Sequence, residues 1–319
     1  MISNSAPPRR PRITVLTPVY NEEQTLQRYA AEVTRVLLNH PDYDFTVLFI
    51  DDGSRERSWE IIKELCRADS RFKGIRLSRN FGSHTALSAG FDRAEGDAVC
   101  TLACDLQDPA LVILEFLEKW RQGAKIVWGK RRARKDSLWR VLCGNLFFFA
   151  IKRFAMPKGS QFTTGSFLLA DKAVVECVRQ FKEHNRTIFA LVAWTGFDQA
   201  VVEYERVERM AGKSGWTFGK MLKSMYDTFI GFSMTPVKLV TRLGISVSFL
   251  NMIFICYLLY AWFTGNPLAG WTSVMATVTL FFGLQFLIMG MVGEYLSRIY
   301  IESMRRPLYF VSETTESHD

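Results

Sequence analysis

A chain of 319 residues and 36.6 kDa holds one large domain or two ordinary ones, and it buries a core without needing disulfides or structural metal. At 48% hydrophobic and 23% charged residues, with a mean hydropathy of +0.03, it is excluded from the disordered class and lies between a soluble enzyme and a polytopic membrane protein. The formal charge of +8 asks for a polyanionic partner: nucleic acid, nucleotide phosphate or anionic lipid.

In chain order, MISNSAPPRRPR is basic, but only the run ITVL separates it from Pro18, so no signal-peptide core is expected. Arg12–Tyr20 (RITVLTPVY) predicts a buried strand. Glu22–Leu38 predicts a helix with Leu26, Tyr29, Val33, Val36 and Leu37 on one side. Phe45–Ile50 (FTVLFI) is a second buried strand running into Asp51-Asp52-Gly53-Ser54. A helix over Arg57–Cys66, a strand over Gly74–Ser78, a helix over Thr85–Ala94 and a strand over Ala98–Ala103 follow. That strand ends at Cys104-Asp105, and a helix over Pro109–Arg121 leads to a strand at Lys125–Trp128. Alternating helices and near-continuous apolar strands predict an α/β fold, a mostly parallel sheet with helices on both faces. Ligands of such sheets bind beyond the carboxyl ends of the strands. Tyr20-Asn21-Glu22, Asp51-Asp52 and Asp105 collect there.

No GxGxxG or GxxxxGK[ST] follows the first strand, which excludes the usual dinucleotide and P-loop readings. Carboxylates at strand ends instead accept hydrogen bonds from a base or ribose, or hold a divalent cation against a diphosphate. The six cysteines contain no CxxC pair and read as reduced, small core residues.

Beyond Leu239 the character changes. Leu243–Phe263 and Trp271–Val292 run 21 and 22 residues without a charge, enough for about 30 Å of hydrocarbon. The short connector Thr264–Gly270 (TGNPLAG) makes them an antiparallel hairpin. Lys238 and Arg242 before it, and Arg298, Arg305 and Arg306 after it, predict cytoplasmic ends. Phe218–Phe232 has the spacing of an interfacial amphipathic helix, whereas Leu138–Phe154 reads equally as interfacial or core. Glu294 is expected to pair with Arg298 one helical turn on. Before Leu239, 36 Lys and Arg stand against 27 Asp and Glu, so the basic excess belongs to the soluble part. The expected division is a tail over 1–11, a catalytic domain over 12–216, an interfacial helix over 217–238, a hairpin over 239–297 and a cytosolic tail over 298–319.

TPVYNEE (Thr17–Glu23), DDGS (Asp51–Ser54) and DLQDP (Asp105–Pro109), in that order and followed by an apolar hairpin, resemble family 2 glycosyltransferases of the GT-A fold. Arg206, Arg209, Gly212 and Ser214 (RxxRxxGxS) and the ending GEYLSRIYIESMRRPLY narrow the resemblance to polyprenyl-phosphate glycosyltransferases, including bactoprenol-phosphate glucosyltransferases and dolichol-phosphate mannose synthases. The resemblance implies that Pro18, Tyr20, Asn21, Glu22, Asp51 and Asp52 bind the nucleotide sugar, and that Asp105 and Gln107 hold Mg2+ or Mn2+. It implies that Arg131, Arg134, Arg206, Arg209 and Ser214 serve the acceptor phosphate, with Asp105, Arg131 and Arg209 closest to the chemistry. Two departures stand out: Ala103 replaces the first Asp of D-x-D-L-Q, and Ser166 occupies a position where many relatives carry an acid. The basic run Gly129–Lys135 (GKRRARK) reads either as a solvated or lipid-facing surface or as a phosphate attractor.

The implied reaction moves a hexose from a nucleotide sugar, with UDP-glucose favoured over GDP-mannose, to polyprenyl phosphate at the cytosolic face of the inner membrane. Partners are then the nucleotide sugar, the polyprenyl phosphate and the bilayer, with a homo-oligomer through the hairpins left open; no nucleic-acid module accompanies the charge. A processive polysaccharide synthase is disfavoured by the missing QxxRW and by only two spans. A non-catalytic scaffold of the same fold is the rival from another class.

Overall fold

The computed structural model describes residues 9–132, 166–184, 186–207, 235–264 and 270–315. Two units are distinguished: residues 1–228 with 307–319, and residues 229–306.

The first unit is built on a sheet in which β1 (Arg12–Val19), β2 (Asp44–Asp51), β3 (Phe72–Leu77) and β4 (Ala98–Thr101) run parallel. β5 (Ile126–Arg131) and β7 (Gln199–Tyr204) pair parallel to each other. β6 (Leu168–Asp171) runs antiparallel between β4 and β5, and β8 (Val311–Thr314) runs antiparallel along β3. The order is β7-β5-β6-β4-β1-β2-β3-β8, the mostly parallel sheet expected from the sequence.

Alternate residues of β1 explain the layers. Ile13, Val15 and Val19 join a core with Leu26 and Tyr29 of α1 (Leu26–Val33), Trp59 and Ile62 of α2 (Ser58–Ala68), and Phe116 and Leu117 of α4 (Val112–Arg121). Leu16 faces the other way. It and Ile50 pack on Gly90 of α3 (Ser83–Arg93), where a Cβ would lie 3.1 and 3.0 Å from their methyl groups. α5 (Lys172–Gln180) and α6 (Ile188–Trp194) also belong to this unit.

Several boundaries move for local reasons. The first helix starts at Leu26 rather than Glu22, because Glu22 is the turn whose carbonyl accepts the Thr25 and Leu26 N–H groups. It continues as π-helix over Thr34–Leu38. α4 starts at Val112 rather than Pro109, since Pro109 and Ala110 carbonyls are taken by tighter i+3 bonds from Val112 and Ile113. β5 extends to Arg131, so the basic run begins inside a strand paired with β7, with Lys130 exposed and Arg131 half-buried. The largest difference concerns 298–319, read as a tail: four of its residues form β8. Cys100 and Cys104 are core residues as expected, Cys66 and Cys177 are half-buried, and Cys256 is exposed.

The second unit contains α7 (Thr235–Phe263) and α8 (Trp271–Ser303), both long and apolar enough to cross a membrane by length and composition. Large apolar side chains such as Phe249, Leu250, Leu280 and Phe286 are exposed along them. Glu294 accepts from Arg298 Nε at 3.0 Å, the expected i+4 pair.

Candidate active site

The carboxyl edge of the parallel strands brings the predicted acids together in two groups. The first lies where β1 and β2 end. Asn21, at a φ of 54°, donates its N–H to Ser54 Oγ at 3.0 Å, and its Oδ1 accepts from Arg55 N at 2.9 Å. Glu22 N donates to Ser58 Oγ, and Glu23 N donates to Glu56 Oε1, at 3.0 and 2.7 Å. The NEE and DDGS segments are therefore stitched to one another. Gly53 makes the turn with a φ of +69°, and a Cβ there would lie 2.5 Å from the backbone carbon of Arg79. Both the left-handed conformation and the close approach require glycine.

Asp52 is buried and spans to the start of α3, accepting from Phe81 N at 2.7 Å and Gly82 N at 2.8 Å. Burial raises its pKa to about 6, against the opposing pull of those two hydrogen bonds. Asp51 is wholly buried, and burial raises its pKa too. Its Oδ1 accepts from Ser54 N at 3.2 Å, while Arg76 Nε lies 3.2 Å from Oδ2. Tyr20 is exposed at the end of β1, and Pro18 is half-buried in it. Tyr20 is thus open to solvent, while Asn21, Asp51 and Asp52 hold the loops that follow β1 and β2.

The second group lies where β4, β5 and β7 end. Asp105 Oδ1 accepts from Gln107 N at 3.2 Å, across Leu106 at a φ of 53° that leucine rarely adopts. Gln107 O accepts from Val207 N at 3.0 Å, fastening this loop to the chain leaving β7. Arg206 bridges two acids: Nη2 is 3.9 Å from Asp105 Oδ2 and Nε is 3.2 Å from Asp108 Oδ1. Asp108, 1% exposed, also accepts from Tyr204 Oη at 2.6 Å, with Arg131 Nε at 4.0 Å. Burial and the Asp108 charge both raise the Tyr204 pKa, so that phenol stays a donor. Gly129 lies beneath, where a Cβ would meet the Tyr204 ring at 2.9 Å.

Arg131 and Arg206, expected at phosphate, thus already face the DLQDP carboxylates. Arg134, Arg209, Gly212, Ser214 and the segments Leu138–Phe154 and Phe218–Phe232 lie outside the described residues. Ser166 lies two residues before β6, its carbonyl accepting from Thr101 Oγ1 at 2.7 Å. Among the described residues no three His, Cys, Asp or Glu side chains converge as a metal site. A hard divalent cation at Asp105 would draw a few oxygens from the protein and the rest from its ligand and water.

Sequence reasoning leaves Asp108 as one letter of DLQDP with no role, and it misses Tyr204 and Arg76. Asp108 carried a signal in DLQDP; Tyr204 and Arg76 carried none, because their roles arise from sheet neighbours.

Residues 14–179 match the profile of Glycosyl transferase family 2. The chain is 37% identical to an uncharacterized glycosyltransferase of Bacillus subtilis, YkcC, over 96% of this chain and 95% of that one. It is 33% identical to the bactoprenol glucosyl transferase of Shigella phage SfV, over 94% of this chain and 98% of that one. Among solved structures, a mannosyltransferase from Pyrobaculum calidifontis in complex with GDP-Man and Mn2+ shares the fold. Its TM-score is 0.51 at 16% identity, covering 95% of this chain and 86% of that one.

Proposed function

The chain belongs to glycosyl transferase family 2, and from that premise we propose that it transfers a hexose, glucose from UDP-glucose, to polyprenyl phosphate at the cytosolic face of the inner membrane. The observation that carries this reading is the cluster of Arg131 and Arg206 on the Asp105 and Asp108 carboxylates, beside the strand ends that bear Tyr20 and Asp52. Guanidinium groups held by carboxylates can exchange those partners for phosphate oxygens. A relative named bactoprenol glucosyl transferase along nearly the whole chain supports the lipid phosphate as acceptor.

In this reading Tyr20 and Pro18 face the base, and the Asp51–Ser54 turn fixes the loop around it. Asp105, with the Gln107 side chain, would hold Mg2+ or Mn2+. That ion supplies charge neutralisation of the donor diphosphate. The acceptor is a phosphate monoester with a second pKa of about 6, so it arrives as an anion. One of its oxygens forms a bond to the anomeric carbon as the bond to the diphosphate breaks, and the electron pair leaves on the diphosphate. A single in-line displacement inverts the anomeric centre. No proton has to be removed, which accounts for Ser166 where other relatives have an acid. Arg131 and Arg206, joined by Arg134, Arg209 and Ser214, would steady the two phosphates; positioning and charge carry the catalysis. α7 and α8 would anchor the domain where a polyprenyl tail is available, with basic residues at the cytoplasmic ends.

The test is a washed-membrane assay with polyprenyl phosphate and radiolabelled UDP-glucose or GDP-mannose. Label should enter the organic phase from UDP-glucose, stop with EDTA and return with Mg2+ or Mn2+. Organic-phase label from GDP-mannose alone would reassign the donor. An absence of lipid product with every donor would overturn the transfer to lipid.

A further inference from the structure

Arg76 lies in β3, outside every motif that marks the site, yet its guanidinium joins three parts of the first unit. Nε stands 3.2 Å from Asp51 Oδ2, Nη2 donates to the Ser54 carbonyl at 3.1 Å, and Nη1 donates to Glu313 Oε1 at 3.1 Å. Glu313 belongs to β8. Its other oxygen accepts from Trp59 Nε1 at 2.8 Å, with Lys63 Nζ at 3.9 Å. The C-terminal segment is docked at further points. Tyr309 Oη donates to Asp92 Oδ2 and accepts from Arg93 Nη1, both at 3.0 Å, and Thr315 Oγ1 accepts from Gly74 N at 2.8 Å.

Asp51 explains why this matters to the site. It is fully buried, and its Oδ2 receives no directed hydrogen bond, so Arg76 is the cation that offsets its charge. A buried carboxylate that loses its countercharge either moves toward solvent or takes a proton. Asp51 opens the turn in which Ser54 Oγ receives the Asn21 N–H, so a shift there moves both loops at the ends of β1 and β2. The Asp105–Asp108 cluster shares none of these bonds.

We propose that Arg76 is a positioning residue for the nucleotide donor and that Glu313 of the C-terminal strand sets it in place, so that the segment following the apolar hairpin completes the donor side of the site. This rests on the transferase reading above. A planar guanidinium with its three nitrogens assigned has one orientation; without Glu313 it is held at two and turns toward solvent. Donor affinity then falls while the phosphate side keeps its geometry.

The experiment uses the full chain in detergent micelles or nanodiscs, with UDP and GDP as calorimetric probes and UDP-glucose in the transfer assay. Glu313→Ala should weaken UDP binding and raise the UDP-glucose KM about 5- to 20-fold, by the loss of one charge-assisted bond, with kcat at saturating donor within about twofold. Arg76→Met should do the same more strongly, and Glu313→Gln, which keeps a hydrogen bond, should recover part of the loss. Should Glu313→Ala fail to fold, the Glu313→Gln values of Kd and KM decide. A lowered thermal midpoint with unchanged UDP affinity and KM would make the strand merely structural and overturn the proposal, as would a fall in kcat alone. A wild-type chain that binds neither UDP nor GDP would overturn the nucleotide-sugar reading and this proposal with it. Binding that is equal in wild type and variants overturns this proposal alone.

Discussion

Where β1 and β2 end, side chains hold backbone: Ser54 and Ser58 receive main-chain N–H groups, Asn21 and Asp52 do the same in return, and Gly53 lets the chains touch. Where β4, β5 and β7 end, side chains hold side chains: Arg206 and Arg131 face Asp105 and Asp108, with the Tyr204 phenol inserted among them. The first arrangement ties a fixed shape to the fold itself. The second leaves its charges on flexible stems that can change partners without unfolding anything. The proposed transfer, in which a rigid base is recognised and two mobile phosphates are managed, needs one of each.

Substitutions on the two sides should therefore fail differently. Asp105→Ala should reduce lipid-product formation by about a hundredfold or more, the usual scale for losing a group that handles developing charge, with little change in thermal midpoint. Full activity in that variant would remove Asp105 from the metal assignment. Gly53→Ala acts on shape: a left-handed alanine costs about 1–2 kcal/mol and the clash with Arg79 about as much again. It should show as a lower denaturation midpoint accompanied by a raised donor KM. Wild-type values would mean that the β1–β2 side is less rigid than its contacts suggest.

Asp52 sharpens the comparison further. Asp52→Asn would turn an NH2 toward the N–H of Phe81 or Gly82, costing about 1–3 kcal/mol for a mismatched buried donor, read as roughly tenfold or more in donor KM. Its pH behaviour has a definite sign. The folded pKa is raised from 3.8 to about 6, so folding binds the proton. That contribution to stability is complete below pH 3.8 and is lost as pH rises through 6. Donor KM should in turn rise below pH 6 as the carboxylate that braces α3 is neutralised, and the variant should lack this limb. At the small end, Glu203→Gln breaks the exposed pair with Lys130 at 2.6 Å and should leave both midpoint and rate unchanged. A clear effect there would extend the phosphate side outward along β5 and β7.

Much of the β1–β2 side could be read from residue order alone, because apolar runs mark β1, β2 and β4 and acids follow directly at their ends. Residue order reads the turn around Glu22 as helix, because its partners Ser54 and Ser58 lie in the turn after β2 and at the first residue of α2. Arg206 and its acidic partners each stand in a motif, but nothing in residue order pairs them, for these ion pairs form between strands brought together by β6 reversing direction. β8 was invisible for a related reason. VSET is short and mostly exposed, and nothing but its pairing with β3 makes it a strand.

That pairing also sets an order of events during synthesis. β3 ends at Leu77 and its edge partner begins at Val311, with α7 and α8 between them in the chain. At typical elongation rates the interval is roughly 10–50 s. Throughout it the nascent domain exposes an open strand edge, and Asp51 lacks the Glu313-braced form of its countercharge. A chain cut short within the hairpin would keep that edge, an invitation to pairing with other chains. Completion of the sheet thus reports that the apolar helices have been made, and an Asp51 turn braced through Arg76 and Glu313 arises only in a molecule that already carries them.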